Sequence, residues 1–202
     1  MPEKVILLVL SEAPRADVAA QRMGSLEHLI ETGQGTRFSV RAELPTLSRP
    51  IYETVHTGLP VTRHGVDSSQ TIRRSNVPNG FEIAVQNRRV TAAAAHPWVS
   101  KLYNRAPLDP LEDRALHDDS LLIQHGRFDV EDSDPDQDLF LTAARLARRY
   151  SPDDLLIHPM GMDYLGDTLG ADTPEYRNQA RAGTFSRPIG SARGIRAAPP
   201  CS

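Results

Sequence analysis

Residues 44–66 read LPTLSRPIYETVHTGLPVTRHGV, and the reading of the whole chain turns on this stretch. Pro45 and Pro50 bracket a stiff turn that holds Thr46 and Ser48. Proline suits the first helical position, where its missing N–H is not needed, so Pro50 predicts a short helix from about Ile51 to Thr57. Gly58 suits the left-handed residue that closes such a helix. Ser48 then falls where unpaired backbone N–H groups and the positive end of the helix dipole meet. That place attracts a phosphate or sulfate group and helps a hydroxyl to ionise. The plainer role for Ser48 is that of a helix cap, its oxygen accepting one of those N–H groups.

Outward from this stretch, strand and helix patterns alternate. The aliphatic run Val5–Leu10 predicts a strand buried on both faces of a parallel sheet. Asp17 to Thr32 reads as one helix, with Met23, Leu26, Leu29 and Ile30 on one face and Gly33 as its stop. Phe38, Val40, Ala42 and Leu44 alternate with Ser39, Arg41 and Glu43, which is strand periodicity. A helix over Gly80–Arg88 leads into a small-residue strand at Val90–Ala95. From Trp98 the pattern loosens, which predicts a subdomain near residues 98–135. Asp136–Tyr150 is helical again, with Leu139, Phe140, Ala143, Leu146 and Ala147 on its apolar face. Leu155–Ile157 is a short buried strand that ends in His158-Pro159. The alternation implies an α/β fold with a largely parallel sheet flanked by helices, over residues 1–182. In such sheets ligands bind beyond the carboxyl ends of the strands. Glu12 follows the first strand and Asp163 follows the last, so both acids are candidates for that edge.

The stretch around Ser48 resembles the nucleophile segment of the alkaline phosphatase superfamily, in its type I phosphodiesterase/nucleotide pyrophosphatase branch. Pro45, Thr46, Ser48, Pro50, Thr57, Gly58, His64 and Gly65 carry the likeness. It implies an alkaline-phosphatase-like sheet and a nucleophilic Ser48. It also implies two divalent metal ions, zinc by type, that activate the nucleophile and bind a small-molecule phosphate ester. Glu12 aligns with an Asp that binds one metal, and Arg15 and Asp17 follow as in the family, while Pro14 departs from its pattern. Asp163 matches the Asp of a family Asp-x-x-Gly-His motif, Gly166 matches its Gly, and Asp167 stands where its His belongs. The metal set carried over is therefore Glu12 and Ser48 on one ion, and Asp163 and Asp167 on the other. Ser69 is a weak stand-in for a family Asn that steadies a non-bridging oxygen.

The family's later Asp-His pair and further His have no counterpart, so the C-terminal part of that fold is missing from the reading. From about Gly183 the text turns to GTFSRPIGSARGIRAAPPCS, rich in Gly, Ala, Arg, Ser and Pro, which predicts an irregular tail over 183–202. An abrupt switch of this kind is also what a reading-frame shift produces in a GC-rich gene.

Composition narrows the function classes. The 202 residues carry a net charge of −3, which gives no electrostatic case for a nucleic-acid polymer as partner. Val5–Leu10 is too short to span a membrane and lacks the shape of a signal peptide. The sole cysteine, Cys201, excludes an intrachain disulfide. Cytoplasmic location is the expectation. His64 reads as a structural loop residue and His56 as a helix-face residue. His96, His117, His125 and His158 are scattered without the spacing of a self-sufficient metal site. The acidic run from Asp129 to Asp138 lacks the glycine and closing Glu of a calcium loop, and reads as a solvated loop.

Three functions remain in view. The leading one is a metal-dependent phosphodiesterase/nucleotide pyrophosphatase-type hydrolase, impaired by its missing ligands. The alternative is a non-catalytic chain that binds phosphate-like anions or a partner. A Ser-His-Asp hydrolase is the third, disfavoured because Ser48 lacks a GxSxG elbow and no His stands out as its base.

Overall fold

The computed structural model describes residues 5–128, 133 and 135–182. The tail read over 183–202 and most of the acidic run after Phe128 lie outside them. The elements in chain order are β1 (Ile6–Val9), α1 (Ala16–Arg22), α2 (Gly24–Glu31), α3 (Ser48–Thr57), α4 (Val61–His64) and α5 (Gly80–Gln86). They continue as β2 (Thr91–Ala95), α6 (Pro97–Tyr103), β3 (Ala115–His117), β4 (His125–Phe128), α7 (Asp136–Tyr150), β5 (Asp154–Ile157), α8 (Gly161–Leu169) and α9 (Pro174–Ala182).

One five-stranded sheet runs in the order β1-β5-β2-β4-β3. β1, β5, β2 and β4 are parallel neighbours, and β3 runs antiparallel to β4 at the edge. β2 is the strand of small residues, Thr91-Ala92-Ala93-Ala94-Ala95, and every one of them is buried. Small side chains on both faces let helices approach the sheet closely, and the period of two sorts them. Ala93 and Ala95 face a core built with Tyr52, Phe81, Val99, Leu102 and Tyr103 from α3, α5 and α6. Ala92 and Ala94 face Leu139, Ala143 and Leu146 of α7. The result is helix, sheet and helix in three layers. β3 and β4, from the stretch that reads as looser, both join this sheet.

Several expectations need correction. β1 is the outer strand of the sheet, and its Ile6 is 64% exposed, so it is not buried on both faces. The helix expected over Asp17–Thr32 is two helices, because Met23 leaves helical backbone at φ −88° and ψ 59°. The break turns Met23 into a small core with Val18, Met162 and Tyr176, while α2 buries none of its residues. A glycine at position 24 makes the interruption cheap. The alternating run Phe38–Leu44 is irregular, with Phe38, Val40 and Leu44 all exposed. Alternation is only a side-chain pattern, and without a neighbouring strand the backbone has no ladder to join.

Candidate active site

The carboxyl edge of the sheet presents three titratable side chains in a row. Glu12 lies just past β1, His158 is the first residue after β5, and His96 is the first after β2. Backbone bonds hold the row together: Leu10 N–H donates to Ile157 at 2.9 Å, and His158 N–H donates to Ala94 at 2.9 Å. Only the parallel order β1-β5-β2 puts these residues side by side.

α3 approaches this edge with its first turn. It starts three residues earlier than Pro50 suggests, so Ser48 is its first residue and Leu47 the cap. No side chain caps this helix, and the hydroxyl of Ser48 instead donates to Oε1 of Glu12. The capping role for Ser48 is therefore not the one adopted. Gly58 ends the helix in the left-handed region, at φ 67°, and its N–H donates to Thr54 at 2.8 Å.

Tyr52 lies four residues after Ser48 and so shares its helix face. Its phenol donates to Oε2 of Glu12, and Nε2 of His158 lies 3.2 Å from the same oxygen. The Tyr52 and His158 rings meet edge to face with centroids 4.7 Å apart. One carboxylate thus gathers a serine, a tyrosine and a histidine. Burial pushes the Glu12 carboxyl up, but the bonds from His158, Ser48 and Tyr52 outweigh it and hold the group below its usual 4.5. Glu12 is therefore ionised at neutral pH. Burial and then the Glu12 charge raise the Tyr52 phenol far out of range, so it stays a proton donor.

This geometry bears on the Ser-His-Asp reading. In a triad the imidazole touches the serine and the carboxylate stands behind. Here the carboxylate touches the serine and the imidazole stands behind, an order that cannot serve as a triad.

Arg49, next to the serine, is 1% exposed. Its Nη1 donates to the carbonyls of Ser69, at 3.2 Å, and Thr71. Its Nε and Nη2 are buried with no hydrogen-bond partner among the described residues. The partly exposed Trp98 ring lies over the guanidinium, 5.7 Å from ring centroid to Cζ.

The second acidic group is α8, which starts three residues past His158. Asp163 is half-buried in its first turn, and its charge opposes ionisation of the Tyr52 phenol. Asp167, one turn further, is exposed. Ser69 meets the site through its carbonyl, which binds Arg49. His64 reads from the sequence as a loop residue but is the last residue of α4: its Nε2 is 3.0 Å from the Thr54 hydroxyl, and its Nδ1 accepts the Val66 N–H at 3.1 Å. His56 packs its ring against Phe81 and Tyr103.

Sequence reasoning missed Tyr52, His158 and Arg49. His158 had a signal, since it follows the aliphatic strand of β5 just as Glu12 follows that of β1. Tyr52 had the spacing of four from Ser48. Arg49 had none, because only the packed structure shows that its charge lacks a partner.

No protein-family model matches the sequence, and no curated protein matches it. Among solved structures, the chain is similar to murine ectonucleotide pyrophosphatase/phosphodiesterase 5, an inactive variant in complex with AMP. The identity is 16% and the TM-score 0.58, over 89% of this chain and 49% of that one. The chain has an alkaline-phosphatase-like fold. It spans about half the length of the structure it matches.

The resemblance implies a two-metal centre, and the donor set bears on it. Among the described residues, no group of three or more His, Cys, Asp or Glu side chains is placed to hold a metal ion. Catalytic zinc sites use three protein ligands. Both oxygens of Glu12 are already engaged by Ser48, Tyr52 and His158, and Asp167 is exposed. The described residues do not complete such a centre.

Proposed function

We propose that this chain carries the nucleophile of a phosphoric ester hydrolase of the phosphodiesterase/nucleotide pyrophosphatase type, acting on a small-molecule ester. The carrying observation is the Ser48 hydroxyl, at the first turn of α3 and bonded to an ionised carboxylate at the carboxyl edge of a parallel sheet. The AMP held by the structural neighbour supports a nucleotide-sized substrate.

In this reading Ser48 Oγ attacks phosphorus as its proton passes to Glu12, the P–O bond to the ester's alcohol breaks and the departing oxygen takes up that proton, and water later hydrolyses the phosphoseryl group to restore the serine and release the phosphate product. In its first turn Pro50 has no N–H and the Ile51 N–H is bonded to Leu47, so the N–H groups of Ser48 and Arg49 are those that would meet the developing charge. Magnitudes limit the rate. An aliphatic hydroxyl is about as weak an acid as water. Glu12 sits below 4.5. Proton transfer from the hydroxyl to Glu12 is therefore steeply uphill. Glu12 alone is therefore a poor base, and turnover by this chain should be slow. Metal ions supply the missing activation in two-metal hydrolases. On the resemblance, Ser48, Glu12 and Asp163 would help to hold one, a set too small to complete a centre by itself. The incomplete donor set also favours a second reading, in which the site binds phosphate-like anions without turnover.

The test is release of nitrophenol from bis-p-nitrophenyl phosphate by the purified chain, with added zinc and with chelator. A slow release that Ser48→Ala abolishes and chelator reduces is expected. Turnover indifferent to both would exclude the mechanism. Phosphate binding without any Ser48-dependent release would favour the second reading.

A further inference from the structure

Buried charges in proteins are paired, because an isolated one pays several kcal/mol of desolvation. Arg49 departs from this rule. It is 1% exposed, and no carboxylate is bonded to it among the described residues. Burial lowers its basicity. What surrounds it adds positive charge: the Lys101 and Arg49 charges oppose one another across the site. A guanidinium here therefore waits for an anion.

The unpaired atoms say which kind. Nη1 is spent on the Ser69 and Thr71 carbonyls, which leaves Nε and Nη2 free. Those two nitrogens form the side-on fork of a guanidinium, whose parallel N–H bonds match two oxygens of one carboxylate or phosphate. Trp98 covers the fork and is itself only partly buried. Its neighbours are the site already described: its ring is 6.4 Å from that of Tyr52 and 4.7 Å from that of His96. Burial takes His96 down to about 4, so this imidazole is neutral at pH 7 and leaves the positive charge to Arg49 and Lys101.

We propose that the Nε and Nη2 edge of Arg49 is an oxyanion subsite beside Ser48, with Trp98 as its movable cover and Lys101 as a second cation. It accepts two oxygens of a carboxylate or phosphate group. Resting on the hydrolase reading, this group is a second anion carried by the substrate, apart from the phosphorus that Ser48 attacks. The competing role for Arg49 is a strut that ties the turn at Ser69 and Thr71 to α3.

Trp98 is the only tryptophan in the chain, so its fluorescence reports directly on the cover. The experiment titrates the full chain with inorganic phosphate and, in a second arm, with acetate, each against potassium chloride of equal ionic strength. A saturable change with either oxyanion, absent with chloride, is expected, and the arm that saturates identifies the chemistry. Arg49→Met and Arg49→Lys should each bind at least about tenfold more weakly, since the fork is lost in both. Lys101→Met should bind severalfold more weakly. Ser48→Ala should bind as the parent does, which separates this subsite from the nucleophile: saturable anion binding by a parent chain that releases no nitrophenol would sink the hydrolase reading alone. Arg49→Met without anion should melt no lower than the parent, because it removes an uncompensated charge. Lower melting of Arg49→Met together with unchanged phosphate binding would establish the strut and overturn the subsite. Should neither Arg49 variant fold, unweakened binding by Lys101→Met would overturn it. No saturable change with either anion, or loss of binding in Ser48→Ala, would overturn it as well.

Discussion

The hydroxyl of Ser48 is turned onto the Glu12 carboxylate, away from the free N–H groups of its own helix. A serine at a helix start usually satisfies one of those groups, a contact worth about 1 kcal/mol. Forgoing it leaves the N–H groups open to a ligand and ties α3 to the end of β1, across 36 positions of sequence. The same carboxylate receives Tyr52, so two residues of α3 hold the helix against the sheet edge.

Glu12→Gln tests that arrangement. The carboxamide offers one acceptor and one donor where Glu12 offers two acceptors, so one of the two hydroxyls must lose its bond or reverse it. The expected cost is about 1–3 kcal/mol of stability at pH 7. Glu12 is held below 4.5 in the fold, so its contribution is present above that pH and fades as pH falls through the folded value. Denaturant melts should therefore show the gap between parent and variant narrowing below about pH 4.5. An unchanged gap down to pH 3 would mean that the ionised carboxylate is not what holds Ser48 and Tyr52.

Local signals explain what was legible. β2, β5 and α7 were readable because their patterns are strong: small residues in one run, aliphatic residues in another, and a fifteen-residue amphipathic helix. The sheet order then brought Glu12 and Ser48 together as the sequence motif suggested. What stayed hidden depended on neighbours. Periodicity at Phe38–Leu44 cannot announce whether a partner strand exists, and hydrophobicity at Val5–Leu10 cannot distinguish a central strand from an outer one. Likewise the value of Tyr52 and His158 lies in converging on Glu12 across 40 and 146 positions.

Gly161 opens α8 at a point of close approach. Its N–H donates to Asp136 at 3.1 Å, and a Cβ there would strike the Gln179 amide and come within 2.8 Å of the Asp136 carboxylate. Asp136 is 3% exposed and bonded to Gln179, so neither group can step aside cheaply. Gly161→Ala should cost about 1–3 kcal/mol in urea unfolding. Because α8 carries Asp163, the variant should also weaken any Ser48-dependent hydrolysis. A neutral substitution would show that the contact between α7, α8 and α9 is loose.

Asp154 begins β5 between Ile6 and Thr91 of the flanking strands. Burial raises its carboxyl from 3.8 to about 6. For an acid raised in the fold, the cost is absent below the unfolded value, grows between the two, and is complete above the folded one. Asp154→Asn removes that cost. Its full size is roughly 3 kcal/mol, which solvent at this partly exposed site reduces to about 1–2. The variant should therefore be more stable than the parent at pH 7.5 and equal to it at pH 3.5. Stabilisation that persists undiminished at pH 3.5 would have to come from something other than the charge.

His56 has the opposite sign over the same range. Its ring stacks on Phe81 with centroids 5.0 Å apart, and its buried Nε2 has no partner. Burial, with a smaller push from the His158 charge, takes it from 6.5 down to about 4. A base lowered in the fold costs nothing while both states are neutral. Below 6.5 the unfolded chain takes up the proton that the folded chain refuses, so stability falls steadily toward pH 4. The loss from this one ring is at most roughly 3 kcal/mol. His56→Phe keeps the stack and removes the proton site. Urea midpoints taken from pH 7 to pH 4 should fall less steeply in the variant than in the parent, with the two differing least at pH 7. Parallel curves would mean that the imidazole gains its proton without unfolding, and that the pocket between α3, α5 and α6 admits water.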